Sequence, residues 1–414
     1  MLTKLFPRDH RRYSSLCVLG PLLEGYAAWL YTEGFPRPCV RQHLRTAVRL
    51  ERALHRRGAR GPGDICWNRL LACAPADTQG DVDLAALVRS LGRYLVAGEF
   101  IAPPPTAPIA PEVAAYGKFL IEVRGLARLT AADHVGTASR FMAHLKMGTP
   151  TVDLAEAAPT DIEGFLRETG ARISRATLQH VIAQLRGFLR FLAMQGLVST
   201  SLHSGIDTPR LYRDERLPRS LPWDTVRALL SSIDRSTPRG RRDYAILLLI
   251  ATYGLRSSDV VALRLEDLEW GAGRIRVGQH KTGTPLLLPL TDEAGEALAD
   301  YMRHGRPALG ARQVFLRARA PAGILKPTAV CNVFQTWARK SRLAIPFHGA
   351  HCLRHSFAVH LLRQGTALKT IGDLLGHRTA EATCVYLRLA VEDLRDVALP
   401  LPALAVRAAA EGRP

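Results

Sequence analysis

Between Ile101 and Pro111 the chain carries five prolines, Pro103, Pro104, Pro105, Pro108 and Pro111. Proline lacks a backbone N–H and its ring clashes with the preceding turn, so this stretch cannot continue a helix and suits a stiff, extended spacer. One domain therefore ends near residue 100. A second interruption, Ser201 to Leu221, mixes Gly205, Pro209 and Pro218 with Arg210, Arg213, Arg216 and Arg219, and has little apolar periodicity. It reads as a basic linker. At 414 residues the chain is longer than one hydrophobic core usually serves. The two breaks predict globular parts at 1–100, 112–200 and 222–397, with a tail at 398–414.

Helical spacing of apolar residues dominates the first two parts. In the second, Phe119, Leu120, Val123 and Leu126, then Ile182, Leu185, Phe188, Leu189, Phe191 and Leu192, form stripes that leave Lys146, Arg186 and Arg190 on the other face. The first part carries an echo of it: Tyr26, Trp29, Leu30 and Gly34 resemble Tyr116, Phe119, Leu120 and Gly125. Chance explains one such match about as well as a duplicated DNA-contacting helical bundle does. After residue 221 the pattern predicts helices over 222–233, 244–253, 292–304, 327–342, 352–364, 368–375 and 381–387, and another capped by Ser257 or Ser258. Residues 274–277 and 286–290, joined by a turn around Lys281, Thr282 and Gly283, read as antiparallel strands. The fold class is mainly α: helical N-terminal domains, then a helix-rich α+β domain with one small antiparallel sheet.

Composition narrows the function. Hydrophobic residues make up 47% of the chain, which is that of a globular protein. Against 37 Asp and Glu stand 56 Lys and Arg, a formal charge of +19. Arginine-rich codon bias can produce part of that excess, but its size favours a nucleic-acid partner. The seven cysteines are irregularly spaced and never closer than seven positions, so neither a zinc site nor a disulfide framework is written here. The longest apolar run, 244–255, is too short for a membrane span, and the charged N-terminus lacks a signal peptide's apolar segment. These features predict a reduced, cytoplasmic, nucleoid-associated protein with no membrane partner.

Four C-terminal segments hold polar residues that packing does not require. In Tyr253-Gly254-Leu255-Arg256-Ser257-Ser258-Asp259, Gly254 releases the chain from a helix and Asp259 is placed to orient the Arg256 guanidinium. Lys281 sits at a hairpin tip. In His351-Cys352-Leu353-Arg354-His355, spacing of three and four places His351, Arg354 and His355 on one face at a helix start, where anions are favoured. Gly376 suits a helix C-cap with His377 just beyond it, nine residues before Tyr386. Alone, each segment has an ordinary explanation: a surface ion pair, an exposed turn lysine, a solvated basic edge, a core tyrosine. Together they are what phosphodiester transesterification needs without a metal. Two arginine forks grip the non-bridging oxygens, histidines share charge or move a proton, tyrosine attacks and lysine protonates the leaving oxygen. No DxD cluster, HExxH or P-loop motif is evident, and neither metal nor other cofactor is expected.

The order and spacing resemble the signature boxes of the tyrosine recombinases, the phage integrase family, over roughly residues 112–395. The resemblance rests on Gly254-Leu255-Arg256, on the box from His351 to His355, and on Leu375-Gly376-His377 with Tyr386 nine positions on. It implies Arg256 and Arg354 as phosphate clamps, Lys281 as general acid, His351 and His377 as active-site histidines and Tyr386 as nucleophile, with Asp259 and His355 in support. Tyr253 stands where the family usually has Thr, Asp259 where Glu is commoner, and Arg388 where many members have His. The first hundred residues are extra relative to the shortest members and do not look like a small β-sheet arm-binding domain.

The resemblance implies a site-specific recombinase that clamps double-stranded DNA at specific sites and works as a tetramer, homomeric or with a sister recombinase or accessory protein. Integration or excision of a mobile element is the expected role. The segment 391–397 is a candidate for docking on a neighbouring subunit or folding back on its own domain. A type IB topoisomerase, which relaxes DNA by the same chemistry, and a catalytically silent DNA-binding accessory protein are the alternatives. Arg210, Arg213, Arg216, Arg219, Arg239, Arg241 and Arg242 are the candidate DNA-backbone contacts.

Overall fold

The computed structural model describes residues 1–73, 82–104, 109–145, 154–211, 218–278, 285–377 and 379–389. Two short helices, Leu2–Leu5 and His10–Ser14, precede a bundle of α1 (Gly20–Thr32), α2 (Arg37–Arg56), α3 (Trp67–Cys73) and α4 (Val82–Ala97). Its core gathers around Tyr26, Leu30, Leu44 and Leu91. The Glu51 carboxylate of α2 is buried, and it accepts hydrogen bonds from the backbone N–H groups of Val18 and Leu19, both at 2.9 Å. The carboxylate at the start of α1 is thus paired with donors that the helix itself cannot satisfy.

A second bundle follows: α5 (Pro111–Glu122), α6 (Arg128–Leu145), α7 (Pro159–Gly170) and α8 (Arg175–Met194). Ser174 caps α8, its hydroxyl accepting from Thr177 N–H. Tyr116, Phe141, Phe188 and Leu192 anchor a core of its own.

The C-terminal part starts with α9 (Trp223–Ser231) and α10 (Pro238–Tyr253), which is buried on nearly every side from Ala245 to Tyr253. Then come α11 (Ser257–Ala262), the strands β1 (Leu268–Glu269), β2 (Arg274–Gly278) and β3 (Pro285–Pro289), and α12 (Asp292–His304), α13 (Pro327–Lys340), α14 (His351–Arg363), α15 (Leu368–Leu375) and α16 (Glu381–Cys384). The strands form one antiparallel sheet in sequence order, with Ile275 opposite Leu288 and Val277 opposite Leu286. Ile275, Val277 and Leu288 turn inward, as a half-buried sheet requires. α10 packs against both α12 and α14. It is the rod on which the site is mounted.

Contacts divide the chain into two compact units, Met1–Ile101 with Leu217–Pro414, and Ala102–Arg216. Although the N-terminal bundle has a core of its own, it joins the C-terminal part: Ala322 N–H donates to Glu33 O at 2.8 Å, beside Gly34. Three local expectations need correction. Neither Ser257 nor Ser258 caps α11. The N-cap position is Arg256, without a side-chain cap, and the Ser258 hydroxyl turns to Asp259. The sheet gains the two-residue β1, too short to leave a period in the sequence. The last helix stops at Cys384, and a separate 3₁₀ turn follows at Leu387–Leu389.

Candidate active site

The site forms where two helices end. α10 finishes on Gly254 and α15 on Gly376, both left-handed, at φ +63° and +61°. Such caps leave terminal carbonyls outside the helical ladder. Arg354, in the first turn of α14, donates from Nη1 to Gly254 O at 2.5 Å and from Nη2 to Leu375 O at 2.7 Å. Arg256 leaves α10 two residues after its cap, donates from Nη2 towards Gly376 O at 3.5 Å and lies 3.7 Å from the buried Asp259 carboxylate. Both guanidinium groups are therefore pinned at the end of α15, and Arg354 also at the end of α10. A Cβ on Gly254 would come within 2.6 Å of Leu375 and 2.7 Å of Phe357, so only glycine suits this junction.

The remaining groups stand around them. His355 Nδ1 lies 3.1 Å from the Tyr386 hydroxyl, and the His351 ring meets His355 edge-on at 4.5 Å. His377 Nδ1 is 2.8 Å from the Thr383 hydroxyl, and its ring lies nearly parallel to Tyr386 at 6.4 Å. Tyr386 packs in a small cluster with Phe357, Ile371 and Leu375 while still lining the cleft. The cleft, about 430 Å³ and open to solvent, is also lined by Arg256, His351, Arg354, His355 and His377.

Electrostatics make it an anion site. Burial and the neighbouring Arg256 push Arg354 down to about 10, which leaves it charged at neutral pH. Burial first, then His351 and Arg354, pushes His355 down to about 4. For His377 the causes are burial, then Arg354 and Arg256, and the result is again about 4. Burial raises the Tyr386 phenol, opposed by the two guanidinium groups. Near pH 7 the neutral His355 and His377 rings and the protonated Tyr386 phenol thus share the cleft with the Arg256 and Arg354 guanidinium groups and His351, at the N-terminus of α14.

Of the residues singled out in the sequence, Arg256, Asp259, His351, Arg354, His355, His377 and Tyr386 come together here. Arg354, for which a solvated basic edge is the ordinary alternative, is buried at 3% exposure. Lys281 lies between β2 and β3, outside the described residues, as do Arg213, Arg216 and the segment 391–397. Arg210 and Arg219 are exposed, and the charge of Arg219 reaches His355.

The expectation is corrected for Arg242 alone among Arg239, Arg241 and Arg242. They sit at the start of α10, about 20 Å from its Gly254 end at 1.5 Å per residue. Arg242 is buried against Asp243, donates to Leu316 O at 3.1 Å and is not available to a DNA phosphate. Trp337 Nε1 donates to the same Asp243 carboxylate at 3.0 Å. Arg241 pairs with Asp300 at 3.1 Å, and Arg239 lies 3.4 Å from Asp243. Two partners escaped sequence reasoning. Thr383, which fixes His377, has no signal beyond lying on the Tyr386 side of it. Ser356 accepts from Leu221 N–H at 2.7 Å, which ties the end of the linker to α14.

The profile of the phage integrase family matches residues 219–393, and that of the phage integrase N-terminal SAM-like domain matches 113–196. The integrase/recombinase y4rA of Sinorhizobium fredii is 33% identical over 387 residues, covering 91% of this chain and 93% of that protein. The chain belongs to the phage integrase family. The tyrosine recombinase XerD of Listeria monocytogenes is 32% identical over 67% of this chain and 94% of its own length. Among solved structures, XerH recombinase bound to palindromic difH substrate shares the fold, with a TM-score of 0.54 at 16% identity over 80% of this chain and 92% of that one. This phage integrase family member is a tyrosine-type site-specific recombinase, with a mainly helical fold and a three-stranded antiparallel sheet. Among the described residues, no helix is long and apolar enough to cross a membrane.

Proposed function

We propose that the chain cuts and rejoins DNA through a covalent 3′-phosphotyrosyl bond to Tyr386, in the integration or excision of a mobile element. The observation that carries this reading is the Tyr386 hydroxyl 3.1 Å from a neutral His355 imidazole, in a cleft with two guanidinium groups anchored to backbone. A scissile phosphate placed there meets Arg256 and Arg354 on its non-bridging oxygens, with His351 and His377 beside it. Tyr386 Oη attacks phosphorus, the bond to the 5′ oxygen breaks, and His355 Nδ1 accepts the phenolic proton. Lys281 supplies the proton to the departing 5′ oxygen. Attack by the 5′ hydroxyl of a partner strand reverses the sequence and releases Tyr386. The phosphotyrosyl bond conserves the energy of the one broken, so no ATP is consumed.

On DNA, the helical domain at 112–200 and the catalytic domain at 222–397 clamp the duplex, and four protomers bring two sites together. Arg210, Arg213, Arg216 and Arg219 lie on backbone phosphates; Asp259 positions Arg256. The test is a nicked substrate spanning the ends of the element that carries the gene, from which the cleaved end diffuses away. A covalent protein–DNA adduct is expected, lost in Tyr386→Phe, and its absence from the wild type sinks the reading. A plasmid with two such sites then yields recombinant junctions. Relaxation without junctions would count against the strand-exchange step.

A further inference from the structure

Both family profiles leave residues 1–112 unmatched. Within them, α1 to α4 repeat α5 to α8 element by element. The Tyr26 hydroxyl of α1 lies 3.1 Å from His43 Nδ1 of α2, and the Tyr116 hydroxyl of α5 lies 3.1 Å from His134 Nδ1 of α6. Gly34 and Gly125, both at positive φ, separate the first two helices of each bundle. In the fourth helices, Tyr94 packs against Tyr26 and Trp29 at 5.5 and 5.9 Å, and Phe191 against Tyr116 and Phe119 at 5.4 and 5.2 Å. Four residues before each of those rings, Ser90 touches the Tyr26 hydroxyl at 2.6 Å, and a Cβ on Gly187 would fall 2.7 Å from the Tyr116 hydroxyl. A shared aromatic and histidine centre, reached through the same order of helices, marks two copies of one domain.

The first copy carries the larger charge. Residues 1–101 hold 15 Lys and Arg against 9 Asp and Glu, a net +6, and residues 102–216 hold 13 against 11, a net +2. Six arginines of α2, Arg37, Arg41, Arg45, Arg49, Arg52 and Arg56, fall within an arc of about 120° at 100° per residue, spread along about 30 Å of helix. The opposite face is buried through Val40, Leu44, Leu50 and Leu54. Glu51, the helix's sole acidic residue, is buried and engaged with Val18 and Leu19. Arg37 donates to Lys4 O and Arg41 lies over the Phe6 ring at 5.0 Å, whereas Arg45, Arg52 and Arg56 are exposed. Neighbouring like charges at spacings of three and four repel along a helix, so this stripe does not serve the helix's own stability. A polyanion about one duplex turn long matches its length and sign.

We propose that the N-terminal bundle is a second copy of the SAM-like domain and that the exposed arginines of α2 grip the phosphate backbone of duplex DNA. The inference rests on the recombinase reading only for the source of the DNA, and its test involves no cleavage, so the two fail separately.

The test uses the full chain and a fluorescein-labelled duplex of about 30 base pairs with random sequence, titrated by anisotropy across a range of NaCl concentrations. Each lost phosphate contact lowers the slope of log affinity against log salt by about 0.9. For Arg45→Gln, Arg52→Gln and Arg56→Gln together, the slope is expected to be shallower by about 2.7. Binding then weakens roughly a hundredfold at 0.15 M and about tenfold at 0.4 M. The same three positions as lysine restore the wild-type slope. Gln at Arg172, Arg227 and Arg264, which already hold Glu168, Asp224 and Glu266, leaves it unchanged. A triple Gln variant that binds with the wild-type slope overturns the proposal and leaves a protein partner for this face; an equal drop in the control triple also overturns it. Should the triple variant not fold in a melting curve, Arg52→Gln alone, with a change of about 0.9, decides.

Discussion

Replacing His355 with glutamine is expected to make the protein more tolerant of acid. Burial, then His351 and Arg354, hold the folded imidazole at about 4, against about 6.5 for an unperturbed histidine. Above pH 6.5 the ring is neutral in the folded and the unfolded chain, and its contribution to stability is whole. As pH falls from 6.5 to 4, the unfolded chain takes up a proton that the folded chain refuses, so stability falls; below 4 both forms are protonated and the loss is complete. At pH 5 the shift converts to about 2 kcal/mol. The ring is partly exposed at the cleft, where water screens its neighbours, which halves the working figure to about 1 kcal/mol. Urea unfolding of wild type and His355→Gln near pH 7.5 and near pH 5 measures it. Carboxylates titrating in that range act on both proteins alike and cancel in the difference. The variant is expected to lose about 1 kcal/mol less than the wild type on acidification. Equal losses would refute a neutral imidazole held beside Arg354.

Three further outcomes follow from the packing. Gly254→Ala places a Cβ against Phe357 and Leu375 in a left-handed conformation, for a loss of about 2–4 kcal/mol in urea unfolding and a fall in adduct formation as Arg354 loses its anchor on Gly254 O. Arg354→Lys keeps the charge but cannot span Gly254 O and Leu375 O together; about 2–3 kcal/mol of stability goes, and cleavage of the nicked substrate drops far more than DNA affinity measured by anisotropy. Asp243→Ala strands the buried Arg242 and leaves Trp337 Nε1 without its acceptor. The expected cost is about 3–5 kcal/mol, read as a lower urea midpoint at pH 7 with little change in the salt dependence of DNA binding.

Periodicity in the sequence was enough to place most helices, because an apolar stripe every three to four residues has few other uses. α12 and α15 occupy the ranges that pattern predicted, 292–304 and 368–375. Gly254 and Gly376 were legible as helix ends because left-handed backbone selects glycine. The sequence also placed Arg256, Arg354, His377 and Tyr386 in an order that suits one reaction, since chemistry restricts which residue types can surround a phosphate.

What only the tertiary structure decided is which charges are free to act. Arg242 and Arg354 look alike along the chain, each an arginine near the start of a helix. Arg242 is consumed by Asp243 and Leu316 O, whereas Arg354 spends two donors on the carbonyls of two helix ends and keeps its place in the cleft. The His355 to Tyr386 contact spans 31 positions, and the Tyr26 to His43 pair shows itself as a copy of Tyr116 to His134 only when both bundles are folded. Local sequence sets each helix and its faces through spacing. Which faces meet, and so which side chains are desolvated, paired or left to bind a polyanion, depends on contacts between residues far apart in the chain.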